Sequence, residues 1–333
     1  MRSASPHAPV RPAPSTRVAA PVAPPECPER IAAELAGSAG VTRLAGGGRF
    51  SVHGLAPGAA PRTLREIGRL RELAFRDAGE GTGRVRDLDR FDEHYEQIVL
   101  WDLRERRIAG GYRIAAAERL VRDGGTRALY GHTLFDFDGA FLEGVLPGLE
   151  LGRSFVASGY QRQPAALFLL WKAIGARVMR DLEPRWLFGP VSISAEYRDA
   201  SRLLLAAWLR QHVAAPELAL RVRPRTPPRG LEDPSLAVRA AALPTAEALD
   251  AAVRELEGGE RGVPVLLRHY LGLGARAAAF NVDAAFADVL DCLLVVDLLA
   301  VPGSVARRYL GETGQAELAA ALHRRSVSLA ATG

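Results

Sequence analysis

Apolar residues recur at spacings of three and four from Leu64 through Ile67 and Leu70 to Leu73 or Ala74. That spacing lays one apolar stripe along a helix that opens near Pro61 and is stopped by Gly79, Gly81 and Gly83. Runs rich in Ile, Val, Leu and Tyr at 98–103 and 108–115 predict two strands joined by a turn at 104–107. A third strand is expected at 134–137 and a fourth at 149–156. Leu167, Leu170, Trp171, Ile174 and Val178 share one face of a long helix over 165–179. A fifth strand at 186–193 leads to a helix over 199–212. Residues 221–233, rich in Arg and Pro, read as a linker or surface loop. Helices over 245–257, 263–273 and 318–325 and a buried strand at 290–299 complete the pattern. Hairpin strands leading into a strand–helix–strand unit make an α+β fold, with a mixed, mostly antiparallel sheet, a crossover helix and a C-terminal extension.

Composition adds boundaries to this picture. Residues 1–28 are dominated by Pro and Ala and read as a disordered arm. Residues 29–60 hold a short helical signal at 30–35 and then Gly46-Gly47-Gly48, and read as a lead-in with room for one strand. Residues 61–325 form one domain. The longest apolar run, 290–301, contains Asp291 and Asp297 and is too short to span a membrane, so the chain is expected to be soluble. The arm has no apolar stretch of the kind a secretory signal needs. The cysteines, Cys27 and Cys292, lie far apart, which favours a reducing compartment over a disulfide framework. Net charge is +5, and Lys172 is the only lysine. Arginine rises together with Ala, Gly and Pro, as a bias in the coding sequence produces. Without aromatic–basic interleaving or a helix-turn-helix pattern, the charge does not indicate nucleic acid. The seven histidines are scattered with no metal-binding spacing.

Several charged residues stand out against the apolar pattern. Arg71 and Phe75 are four apart on the first helix and share a face. Asp89 and Asp92 bracket Phe91 in the loop before the first strand, and Arg113 ends the second strand. In the strand Leu149-Glu150-Leu151-Gly152-Arg153-Ser154-Phe155-Val156, alternation puts Leu151, Arg153 and Phe155 on one face and Glu150, Gly152 and Ser154 on the other. Gly152 inside a strand suggests a bulge or a close backbone approach by a ligand. Spacing alone allows Glu150 and Arg153 to be either a structural ion pair or part of a site. The same holds for Asp89 and Asp92 as turn caps, and for Ser192 and Ser194 as strand serines.

The run Leu64-Arg65-Glu66-Ile67-Gly68-Arg69-Leu70-Arg71-Glu72-Leu73-Ala74-Phe75-Arg76 resembles the opening of the hemolysin-like GNAT acyltransferases, which include the ornithine-lipid and glycine-lipid N-acyltransferases. Asp87-Leu88-Asp89-Arg90-Phe91-Asp92, Ile108-Ala109-Gly110-Gly111-Tyr112-Arg113, Glu150-Leu151-Gly152-Arg153-Ser154 and Phe188-Gly189-Pro190-Val191-Ser192-Ile193-Ser194 continue the likeness in order. Val263 to Leu271 extends it toward the C-terminus. Acyl-homoserine-lactone synthases are more distantly similar at Arg71, Phe75, Asp89, Asp92, Arg113, Glu150 and Arg153.

The resemblance implies a GNAT-like fold and transfer of a long acyl chain to an amino group. The donor would be a phosphopantetheine thioester on acyl carrier protein, with acyl-CoA the second choice, and no cofactor or metal would be held permanently. The acceptor would be an amino acid of the ornithine or glycine type, or a lipid amine. Glu150 would accept a proton from the amine, and backbone N–H groups near Arg153 and Ser154 would polarise the thioester carbonyl. Arg71, Phe75, Asp89, Asp92 and Arg113 would close the substrate side, with Ser192 and Ser194 as donors to the arm. A lipid product would imply a cytoplasmic protein in peripheral contact with the inner face of the membrane.

Two departures bear on this. The Gly-rich pyrophosphate loop of coenzyme A users is replaced by Gln161-Arg162-Gln163-Pro164-Ala165-Ala166, which favours a carrier-protein donor. Where family members often carry Asp-Phe-Asn-Thr-x-Asp, this chain reads Asn281-Val282-Asp283-Ala284-Ala285-Phe286-Ala287-Asp288, which leaves the acceptor end open. Other readings are a lipid O-acyltransferase, a non-catalytic carrier-protein or lipid-binding module, and an acetyl-CoA-dependent N-acetyltransferase. The first normally needs His-x-x-x-x-Asp, and no histidine here has Asp five residues on.

Overall fold

The computed structural model describes residues 19–332. Helix α1 (Pro28–Gly37) leads into a hairpin of β1 (Val41–Gly47) and β2 (Phe50–Leu55), then into α2 (Pro61–Asp77). The next hairpin is β3 (Glu96–Asp102) and β4 (Arg107–Ala116). Then α3 (Ala117–Gly124), β5 (Phe135–Phe137) and α4 (Gly139–Val145) carry the chain to β6 (Gly148–Val156). From there α5 (Pro164–Asp181) crosses over to β7 (Trp186–Ile193). A mostly helical segment follows: α6 (Asp199–His212), α7 (Pro216–Ala219), β8 (Val222–Pro224), α8 (Pro234–Ala241), α9 (Ala246–Leu256) and α10 (Val265–Gly272). The last hairpin, β9 (Arg276–Asp283) and β10 (Val289–Asp297), precedes α11 (Gly303–Leu310) and α12 (Gly314–Thr332).

The main sheet has eight strands in the order β1-β2-β3-β4-β6-β7-β10-β9. Every neighbouring pair is antiparallel except β6 and β7, which are parallel. This is the mixed, mostly antiparallel sheet expected from the hydrophobic pattern. Along β3, Ile98 and Leu100 face the core under α5 and α6, while Val99 and Trp101 face the core under α1 and α2. A third cluster, around Phe135, Phe137, Phe141 and Leu134, covers the remaining part of that second face. The sheet is therefore buried on both sides, which explains why its central strands read as nearly continuous apolar runs. Each large side chain fully buried in this way contributes about 1.5–3 kcal/mol.

Local chemistry fixes the helices that border the site. Ala60 offers no side-chain cap to α2. The carboxylate of Glu34, on α1, substitutes by accepting from the N–H groups of Arg62 and Thr63 and from the Thr63 hydroxyl at 3.1, 2.8 and 2.7 Å. Helix α5 begins with Pro164, whose missing N–H costs nothing in a first turn. A Cβ on Gly175 would stand 2.2 Å from the Tyr309 carbonyl oxygen, so α5 meets α11 backbone to backbone.

Four expectations change. The arm at 1–28 is not disordered throughout. Residues 1–18 lie outside the described residues, but Ala20 and Ala23 donate to the carbonyls of Gly83 and Val85 at 2.9 and 3.0 Å. Glu26 holds Arg65 at 2.7 Å in the same segment. The lead-in at 29–60 supplies a helix and two strands of the main sheet, so the domain begins well before residue 61. The strand at 134–137 forms but pairs with β8 outside the main sheet, which also places a strand inside the expected linker 221–233. Finally, β9 and α8 were not anticipated. No helix among the described residues is long and apolar enough to cross a membrane.

Candidate active site

Strands β6 and β7 run side by side for three residue pairs, Gly148 with Trp186, Leu149 with Leu187 and Glu150 with Phe188, and then part. Two local features mark the place where they part. On β7, Gly189 lies so close to β6 that a Cβ there would stand 2.0 Å from the Leu151 carbonyl oxygen, and Pro190 follows without an N–H to donate. On β6, Gly152 pairs with Arg113 of β4, and the next partner is Phe155 with Gly111. The intervening Arg153 has φ +48, so the strand bulges at Arg153 and Ser154. The bulge anticipated from Gly152 is thus present, one residue further on. It also shifts the strand's phase. Leu151 and Phe155, which alternation puts on one face, lie in cores on opposite faces.

A cavity of about 80 Å³ occupies the opening. Its walls are Leu151, Gly152, Arg153 and Ser154 of β6, Pro190, Val191 and Ser192 of β7, and Asp291 of β10. Phe75, Glu80, Tyr112, Tyr130, Tyr270 and Phe286 close it. Of the residues singled out from the sequence, Arg153, Ser154, Phe75 and Ser192 line this cavity. Phe75 meets Phe286 edge to face at 5.1 Å.

Arg71, Asp89, Asp92 and Arg113 do come together, but behind the cavity rather than in its wall. Arg71 donates to Asp92 at 2.8 Å and to Gln97 at 2.5 Å. Arg113 donates to Asp89 at 2.6 Å and lies 3.4 Å from Asp92. Arg153 extends the alternation, with Asp87 at 3.1 Å and Asp89 at 3.6 Å, and donates to the Tyr130 hydroxyl at 3.0 Å. The capping role expected of the aspartates is present, and the same carboxylates also hold the arginines. Asp89 and Asp92 form a reciprocal capping box on the short helix Arg90–Glu93 while holding the arginines. Burial works against the charge on Asp92, but Arg71 and Arg113 overcome it and hold its pKa at about 2.

Glu150 does not line the cavity. It is 1% exposed and accepts from the Tyr95 hydroxyl and from the N–H groups of Tyr130 and Gly131, the latter two at 3.1 and 2.6 Å. Burial pushes its pKa up against these donors. Both oxygens are engaged in holding the loop that carries Tyr130 against β6. Glu150 thus positions this loop, and its carboxylate does not reach the cavity wall where the attacking amine was expected. Ser194 is likewise structural. It donates to the Ala78 carbonyl at 2.6 Å and accepts from Glu196, tying the end of β7 to the end of α2.

Glu150→Gln should therefore destabilise the protein although it preserves shape. An amide group would turn donors toward a ring of donors, at a cost of about 1–3 kcal/mol. Denaturant unfolding checks this, and a midpoint equal to that of the unchanged protein would refute it.

The cavity also contains carboxylates that the sequence reading passed over. Asp291 is 3% exposed and accepts from the Ser192 hydroxyl at 2.8 Å. Burial, reinforced by Asp283 and Glu80 and opposed by Ser192 and Arg153, pushes its pKa up to about 8. Burial also lifts Glu80 to about 7 despite Arg153. The available signal was an aspartate inside an otherwise apolar strand, which no surface role explains.

A family model described as an acetyltransferase (GNAT) domain matches residues 70–172, from the middle of α2 to the middle of α5. The glycine N(alpha)-acyltransferase of Bacteroides thetaiotaomicron is 38% identical over 164 residues, 46% of this chain and 49% of that protein. The glycine N(alpha)-acyltransferase of Phocaeicola vulgatus is 36% identical over 164 residues, 46% of this chain and 50% of that protein. The chain thus spans about half the length of the curated relatives it matches. No solved structure matches it. The matched segment holds β3, β4, β6 and the bulge, and the mixed sheet that opens between its two parallel strands is consistent with a GNAT-like fold.

Proposed function

We propose that the protein is an N-acyltransferase that moves a long acyl chain from a carrier-protein thioester to the amino group of an amino acid. Glycine is the first candidate, because the similar proteins are named for it. The observation that carries this reading is the opening between β6 and β7, which joins a slot for an extended arm to a polar cavity. A phosphopantetheine arm lying in the slot would bring its thioester to the bulge. There the register of β6 against β4 shifts at Arg153 and Ser154, and in this reading their backbone N–H groups polarise the thioester carbonyl. An amine attacks a thioester directly once it is neutral and held in place, so no covalent enzyme intermediate is required.

In this reading Arg153 and Ser154 act at the thioester, and Ser192 and Phe75 shape the wall. Arg71, Asp89, Asp92 and Arg113 keep Arg153 in position, and Glu150 keeps Tyr130 there. No permanently bound cofactor takes part. A long-chain product would bring the protein into peripheral contact with the cytoplasmic face of a membrane.

The test is incubation of the purified full chain with long-chain acyl carrier protein, or in parallel with acyl-CoA, and a pool of amino acids and lipid amines. Mass spectrometry should find a long-chain N-acyl amino acid, formed faster from the carrier protein. Acylation of a lipid hydroxyl, or no product from either donor, would overturn the reading.

A further inference from the structure

We propose that Asp291, oriented by Ser192, is the group that takes the proton from the attacking ammonium, a role that rests on the acyl-transfer reading of the same cavity. Four observations carry this. Asp291 reaches the cavity from β10, across the opening from the bulge, so the amine would stand between the carboxylate and the thioester. Its Oδ1 is fixed by the Ser192 hydroxyl at 2.8 Å, from the strand directly paired with it. Glu150 has both oxygens occupied elsewhere. The fourth is Tyr112, which lines the same cavity from β4 opposite the bulge and is 1% exposed. Its hydroxyl lies beside Ser154 and Trp171 and adds a polar group to the cavity on the bulge side.

The step balances without a further reactant. The ammonium gives one proton to the Asp291 carboxylate. The freed amine forms the C–N bond at the thioester carbonyl, the C–S bond breaks, and the second proton leaving nitrogen passes to the departing thiolate. The products are the amide, the free thiol and one proton released from Asp291 to solvent. The groups facing Asp291 are Ser192 on β7, Asn281 and Asp283 on β9, Glu80 after α2, Arg153 on β6 and Tyr130. The three carboxylates suit a cationic acceptor. Glu80, which is more exposed than Asp291, is placed to hold the ammonium near the mouth.

The experiment is a pH profile of kcat for the full chain, its Asp291→Asn and Ser192→Ala variants, and Glu150→Gln, each with its Tm at pH 9. With Asp291 as proton acceptor, activity of the unchanged chain rises to a plateau with an apparent pKa near that of Asp291, about 8. Asp291→Asn lowers the plateau about 100-fold or more. Its residual activity then follows the fraction of free amine, rising up to the pKa of the substrate's own amino group and levelling above it. Ser192→Ala, which removes the hydrogen bond that lowers the Asp291 pKa, moves the limb to higher pH. Glu150→Gln leaves the limb where it is. Asp291→Asn should melt no lower than the unchanged chain at pH 9, because it removes a charge that burial disfavours. If the unchanged chain makes product while Asp291→Asn keeps kcat within twofold and the same profile, the proposal falls and the acyl-transfer reading stands. A Ser192→Ala limb that does not move also counts against it, and does so even where Asp291→Asn fails to fold. If the unchanged chain makes no product, both fall.

Discussion

Asp92→Ala is expected to cost about 3–5 kcal/mol of unfolding free energy, the range for removing one partner of a buried charge pair. The size follows from what stays behind. Among the described residues, Arg71, fully buried, would keep only Gln97 as a hydrogen-bond partner, and Arg113, 1% exposed, would keep only Asp89. Asp92 also accepts from the N–H of Asp89 and from Gln97, at 2.9 and 3.1 Å, so the capping box is lost as well. Asp92 has a folded-state pKa below its ordinary value, so its contribution is complete above the ordinary carboxylate range. It is lost as pH falls toward about 2. The penalty of the alanine variant should therefore be full at pH 7 and shrink below pH 4. Urea unfolding at the two pH values checks both statements. A loss under 1 kcal/mol at pH 7 would mean that water reaches these arginines.

Gly189→Ala should cut kcat/KM for acyl transfer about 100-fold while leaving a folded protein. Residue 189 has φ +155, and a Cβ there would sit 2.0 Å from the Leu151 carbonyl oxygen. Backbone cannot yield as a flexible side chain does, so β7 must move off β6 by an ångström or more. Displacements of that size at a reacting centre cost about two orders of magnitude in rate. The site would be misaligned where the strands part, while Asp291 keeps its pairing with Ser192 on β7, so the shape of the pH profile should persist. Steady-state kinetics and the Tm separate this outcome from simple unfolding. Undiminished kcat/KM would show that the strand opening is not where transfer occurs.

Much of the fold was legible because its central elements are strongly periodic. Leu167, Leu170, Trp171, Ile174 and Val178 announce α5, and the strands that flank it are long and apolar. The misses have local causes. In β9, Arg276-Ala277-Ala278-Ala279 carries helix formers on a strand, because tertiary pairing with β10 overrides propensity. In β1 and β2, Gly46-Gly47-Gly48 reads as loop, although it makes the tight turn of an edge hairpin. In the site, the bulge was legible from Gly152. The arginine–aspartate network was legible only through resemblance, since Arg71 and Asp92 are 21 residues apart. The position of Glu150 could not be read at all. Its partners are the Tyr95 hydroxyl, 55 residues away, and backbone N–H groups about twenty residues away, of which every residue but proline has one.

The order of strands in the sheet follows the order of the chain in one respect. All the strands on one side of the opening, β1 to β4 and β6, are complete by residue 156, and all those on the other side begin after residue 185. Ser192 and Asp291, which face each other in the cavity, are 99 residues apart. During synthesis the first half-sheet can assemble on its own, but β7 must wait for β10, with the intervening helices already made, before it gains its second neighbour. The cavity thus comes into being only when the last hairpin docks. Until then the nascent chain presents one half-sheet and no enclosed cavity.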